Sequence, residues 1–124
     1  MARSFKDLEV YQLSGMLSDE IWRIVITWDF FAKDTVGKQL VRAIDSVGAN
    51  LAEGSGRGSF QDNRRFVTMA RGSLTETQHW LRRAYRRGLL NTEQTSKLQP
   101  LIEKLAPKLN AYRNAITKMS KNQS

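Results

Sequence analysis

The residues of this chain best equipped for chemistry are arginines. Residues 57–87 carry Arg57, Arg64, Arg65, Arg71, Arg82, Arg83, Arg86 and Arg87 against only Asp62 and Glu76, so this segment supplies +6 of the formal net charge of +8. A guanidinium stays charged at any physiological pH, and its planar fork of N–H donors matches the oxygens of a phosphate. Scattered Lys and Glu would read as a solvated helix face. An all-arginine, unbalanced run reads as a surface for anions. With a pI of about 10.2, the expected partners are polyanions, with nucleic acid ahead of an anionic membrane or an acidic protein.

Other chemistries find less support. Glu76 and His79 have the Glu-x-x-His spacing of di-iron bundles, which need that pair twice. His79 is the only histidine of the chain, and helical phase places it on the arginine side, so no metal site is expected. The chain has no cysteine, which excludes a disulfide framework, a thiolate metal site and a Cys–His pair. A Glu53 carboxylate beside Arg42 reads as a structural pair. The chain is therefore expected not to be an enzyme and to need no cofactor. The stretch "NLAEGSGRGS" at 50–59 places Gly54, Gly56 and Gly58 after a helix, not after a strand, and without a Walker lysine, so it is no dinucleotide fingerprint. Gly54 is expected to stop one helix and Ser59 to cap the next. The free amides at that helix start, with Arg57 beside them, could contact a phosphate.

The elements that must position these residues are four helical runs, predicted at about 6–28, 35–54, 60–87 and 92–119 within one domain covering 1–124. In the first, Val10, Leu13, Leu17, Ile21, Ile24 and Trp28 recur by threes and fours. In the second, with Asp34 as its expected N-cap, Leu40, Ile44, Val47 and Leu51 form an apolar stripe. Beside it runs a polar stripe of Gln39, Arg42, Ser46, Asn50 and Glu53. Arg42 is expected to meet Glu76, Glu53 or both in a partly buried network. In the third, Phe66, Ala70, Ser73, Leu74, Thr77, Trp80, Leu81 and Ala84 share one side. Arg64, Arg71, Arg82 and Arg86 lie opposite, flanked by Arg65, Arg83 and Arg87, and Gly88 ends the helix. In the fourth, Leu98, Ile102, Leu105, Leu109, Tyr112, Ile116 and Met119 follow a heptad rhythm. Pro100 and Pro107 should kink it, unless Pro100 is the first residue of the main helix. The tail "SKNQS" should fray. Short connections make this an all-α, antiparallel up-down-up-down four-helix bundle. The N-terminal stretch lacks an apolar run long enough for a signal peptide, and no run approaches a membrane span. A cytoplasmic protein with no membrane partner is expected.

The blocks "QLVRAIDSVGANLAEGSGR" and "FVTMARGSLTETQHWLRRAYRRGLL" resemble the bacterial four-helix bundle family of 23S rRNA intervening-sequence proteins, also called S23-type proteins. The likeness rests on Gln39, Arg42, Ala43, Ser46, Asn50, Ala52, Glu53, Gly54, Arg57, Phe66, Ala70, Ser73, Glu76 and the turn at 88–90, and extends over about 5–116. Pro100, Pro107 and Gly48 depart from the family's pattern. The resemblance implies antiparallel bundles that assemble as homopentameric rings with basic surfaces and without enzymatic activity. It also implies a genetic link to 23S rRNA genes and distant kinship to accessory proteins of diversity-generating retroelements. The function expected from residues and resemblance together is nucleic-acid binding, RNA ahead of DNA, by a homo-oligomeric ring through arginine–phosphate contacts. The alternative is an oligomeric scaffold for a protein partner such as a polymerase or reverse transcriptase.

Overall fold

Apolar residues spaced by threes and fours leave each run with one face that must be covered. The computed structural model, which describes residues 4–123, shows four such faces closing on one core. Helix α1 spans Glu9–Val25, α2 Lys38–Ser55, α3 Phe60–Arg86 and α4 Thr92–Gln123. Each helix packs on its neighbours in chain order, and α4 closes back against α1. The architecture is the all-α four-helix bundle that the spacing predicts. Leu17, Ile21, Leu40, Ile44, Val47, Leu51, Val67, Leu105 and Leu109 are shut off from solvent at its centre. Each such side chain contributes about 1.5–3 kcal/mol by leaving water, which is what holds helices of otherwise polar sequence together.

The ends of the helices differ from the sequence reading in physically informative ways. The first run is shorter than 6–28: Phe5–Asp7 is a separate 3-10 turn, and the chain leaves α1 at Ile26. Trp28 is nevertheless buried, and its Nε1 donates to the Leu89 carbonyl at 3.1 Å, tying the first connection to the third. Asp34 is not an N-cap. The cap is Asp29, whose Oδ1 accepts from the Ala32 amide at 2.9 Å. The chain then runs through a helical turn at Phe30–Ala32 and a π-turn at Lys33–Gly37 straight into α2. Asp34 lies within that π-turn and pairs with Lys38 at 3.1 Å.

Gly54 does not stop α2 either. It lies inside the helix and is buried, and α2 ends at Ser55 with Gly56 as its C-cap. The reason is contact with α3: a Cβ at Gly54 would stand 2.6 Å from Asn63 Oδ1 and 2.9 Å from Phe66 Cβ. Ser59 caps α3 as expected, its Oγ accepting from the Asp62 amide at 3.1 Å. Gly88 ends α3 with φ of 74°. The Leu89 amide bonds the Ala84 carbonyl at 2.9 Å and the Gly88 amide that of Tyr85 at 3.1 Å, the paired bonds of a Schellman end.

Pro100 neither begins α4 nor breaks it, and the helix runs through both prolines. Each is exposed, so the carbonyl left without its usual donor can be hydrated. α4 continues through Gln123, and Ser124, the end of the tail expected to fray, lies outside the described residues. Met119, expected in the heptad stripe, is half exposed, whereas Ile116 one turn earlier is buried.

Candidate nucleic-acid interface

The polar stripe on α2 is held mostly by bonds to itself. Ser46 Oγ donates to the Arg42 carbonyl at 2.9 Å, and Asn50 Nδ2 donates to the Ser46 carbonyl at 2.8 Å. Glu53 pairs with Arg57 at 2.6 Å and not with Arg42. Only Arg42 crosses to another helix. Its Nε donates to Gln39 Oε1 at 3.2 Å, and its Nη2 pairs with Glu76 of α3. Glu76 also accepts from Trp80 Nε1 at 3.0 Å. The expected network therefore forms through Glu76 alone. Both partners are partly exposed, so it serves to fix the register of α2 against α3 more than to stabilise the bundle.

The arginines divide by what they touch. Arg57, at the α2–α3 turn, is neutralised by Glu53, and its guanidinium lies 4.7 Å from the centre of the Phe66 ring. Arg65 approaches the same ring at 5.5 Å and stands 3.7 Å from Asp62. The phosphate contact foreseen at the α3 start thus meets an Arg57 already engaged by a carboxylate and an aromatic face. Arg64 Nε donates to Thr117 Oγ1 of α4 at 3.0 Å. The side chains of Arg71, Arg82, Arg83, Arg86 and Arg87 have no ion pair or hydrogen bond among the described residues. Four of these five are exposed and Arg83 is half-buried. Arg83 and Arg86 also sit in the last turn of α3, where positive charge complements the helix dipole. Local sequence thus favours them there even without a ligand.

This separation follows from helical phase. Ala70, Leu74, Thr77, Leu81 and Ala84 turn α3 toward the core, with Val67 buried beside them and Phe66, expected on that side, only half-buried, and the arginines are carried to the far side. That outer face meets α4 in two concavities. One has an apolar floor of Leu81, Leu90, Leu98 and Ile102 with Arg82, Gln78, Tyr85, Thr95 and Gln99 around it. The other, of about 490 Å³, is lined by Arg64, Arg65, Thr68 and Arg113. The sequence pattern does not point to Arg113, because it lies in a different helical run from the arginine cluster and only the α3–α4 packing joins them. Its Arg-x-x-x-Thr spacing at 113–117, shared with 64–68, also occurs at 23–27 and 71–75 and so does not single it out.

His79 is exposed on α3 and packs edge-to-face on Trp80 at 4.9 Å. Among the described residues no three His, Asp or Glu side chains come together as a metal site. None of their helices is long and apolar enough to cross a membrane.

Fold and surface together define a class: an all-α four-helix bundle that displays an arginine-rich outer helix face. The chain belongs to the 23S rRNA-intervening sequence protein family, whose model matches residues 6–111. No curated protein matches the chain significantly.

Proposed function

We propose that the protein is a non-enzymatic nucleic-acid-binding protein, acting as a homo-oligomeric ring through arginine–phosphate contacts. The observation that carries this reading is the set of arginines at 71, 82, 83 and 86 on α3 and 87 at its C-cap, which no carboxylate among the described residues neutralises. Phosphate is the abundant counter-charge for such a face. From Arg64 to Arg86 the stripe runs roughly 33 Å at about 1.5 Å per residue, close to one duplex turn of about 34 Å. Several phosphates can therefore be met at once. RNA is favoured over DNA because the family's description ties its members to 23S rRNA.

The test is binding of labelled single-stranded RNA and duplex DNA between about 50 and 200 mM salt. Five phosphate contacts give a drop in affinity of about a hundredfold to several hundredfold. Absence of binding at the lower salt, or binding indifferent to salt, refutes the reading.

A ring needs a face that one copy cannot cover for itself. Trp22 on α1 and Ile26 at its C-cap are 55% and 53% exposed, and Phe30 and Phe31 on the following turn are each 78% exposed. Apolar residues concentrated in this way mark interaction surfaces, and a second copy of the chain is the occupant that the ring requires. Five copies is the number implied by the family resemblance. The double substitution Phe30→Ser/Phe31→Ser is expected to reduce the particle to a monomer in multi-angle light scattering, with the helical circular dichroism retained. An unchanged mass would free this surface for a different protein, as the scaffold alternative holds.

A further inference from the structure

We infer that Arg64, Thr68, Arg113 and Thr117 form a built site for a phosphate group between α3 and α4. The four side chains are joined reciprocally. Arg64 Nε on α3 donates to Thr117 Oγ1 on α4 at 3.0 Å, and Arg113 Nε on α4 donates to Thr68 Oγ1 on α3 at 2.8 Å. Each threonine spends its own proton inside its helix. Thr68 Oγ1 donates to the Arg64 carbonyl and Thr117 Oγ1 to the Arg113 carbonyl, both at 2.9 Å. The hydroxyls are thereby fixed as acceptors, and each can hold the guanidinium that reaches across to it. The two helices exchange arginines, and no carboxylate among the described residues ties either one.

The consequence is chemical. A guanidinium held by Nε keeps its Nη1/Nη2 edge, the end that forms two parallel bonds to phosphate oxygens. Its rotamers are already restricted, so a ligand meets donors that lose less freedom on binding than free surface arginines would. Arg64 and Arg113 line one groove with Arg65, and Asp62, 3.7 Å from Arg65, is the carboxylate there. Like charges gathered in one concavity repel each other when it is empty. That repulsion is relieved when a dianion or a phosphodiester enters. Gln61, Thr68 and Met69 complete the lining. Arg113 and Thr117 lie beyond the residues matched by the family model. The inference goes beyond the nucleic-acid reading, because it assigns a phosphate group whatever molecule carries it.

The experiment follows the arginine Nε–Hε resonances by NMR while inorganic phosphate is added. Saturable shifts of Arg64 and Arg113 ahead of the other arginines are expected. Thr68→Val/Thr117→Val keeps shape and net charge but removes both acceptors, and should weaken phosphate at least fivefold. Thr68→Ser/Thr117→Ser keeps the hydroxyls and should bind as the parent does. This serine pair also guards against a mere loss of packing, since it removes the methyls and leaves the acceptors. Shifts spread evenly over all arginines, or equal affinity in the valine and serine pairs, would overturn the site. Competition separates two sources of the phosphate. Displacement by RNA lacking terminal phosphates supports the site with a backbone phosphodiester as its ligand. Displacement only by 5′-phosphorylated RNA supports it with a terminal phosphate. RNA binding undiminished in a valine pair that has lost its phosphate shifts supports the site for a small or terminal phosphate and leaves the nucleic-acid reading standing on the other arginines. Site-specific phosphate shifts in a protein that binds no RNA support the site and defeat that reading.

Discussion

Replacing Arg71, Arg82 and Arg86 together with Gln lowers the affinity for single-stranded RNA by about tenfold to a hundredfold at low salt. It also flattens the dependence of log K on log salt by about 2 units, at roughly 0.7 for each phosphate no longer neutralised. The three side chains are exposed and have no partner within the described residues, so removing them breaks no ion pair. Gln and Arg have similar helix propensities. Thermal stability should therefore stay near that of the parent, which assigns any weaker binding to charge and not to unfolding. A ring would enlarge the effect, since every copy carries the same three substitutions and avidity multiplies the deficit. Arg42→Gln is the informative contrast. It removes a charge of the same sign from a residue paired with Glu76, and should move the salt slope far less. Equal slopes for the triple variant and the parent would mean that the α3 face does not touch phosphate.

The second large effect is on stability and turns on one glycine. Gly54→Ala is expected to destabilise the bundle by about 1–3 kcal/mol, the usual cost of overpacking, even though Ala is the better helix former by about 1 kcal/mol. The opposing atoms decide the sign. Asn63 Oδ1 at 2.6 Å can swing aside, but Phe66 Cβ at 2.9 Å and the Asn63 carbonyl oxygen at 3.2 Å are fixed to the α3 backbone. The close approach also encloses Asn63 Oδ1, which is buried with no hydrogen-bond partner among the described residues. Gly72→Ala is the control. Gly72 is exposed in the middle of α3, and a Cβ there meets nothing within 4 Å, so only the propensity gain of about 1 kcal/mol remains. The melting temperatures of the two variants should move in opposite directions, by on the order of 4 °C per kcal/mol. A stabilised Gly54→Ala would show that α2 and α3 can separate without cost at this point.

Much of the bundle is legible in the sequence because its determinants are local and periodic. The residues Val10 to Trp28, Leu40 to Leu51 and Leu98 to Ile116 that recur by threes and fours are, apart from the partly buried Tyr112, ones the core buries. The Ser59 cap and the Gly88 end of α3 depend on two or three adjacent residues and are readable for the same reason. The partition of α3 into a core half and an arginine half follows from about 100° per residue alone. Local signals fail where two of them compete. Asp34 has the chemistry of a cap, but Asp29 comes first and the chain never leaves a helical path between them. Pro100 and Pro107 each cost α4 a backbone hydrogen bond, but both face solvent, where water can meet the freed carbonyl.

The sequence by itself therefore determined the helices, the burial of their stripes and the sign and place of the surplus charge, since each follows from spacing along one chain segment. Only the tertiary structure decided which partners those residues meet. It gave Glu76 to Arg42 and Glu53 to Arg57, because packing brings α3 against the Arg42 turn while Glu53 already has Arg57 one turn away. It turned Gly54 from an expected stop into a point of close approach between helices. It brought Arg113 and Thr117 to Arg64 and Thr68 across about 50 residues of chain. Pairings across such distances carry no periodic signature, because they arise from the register of one helix against another and not from the order of residues within either.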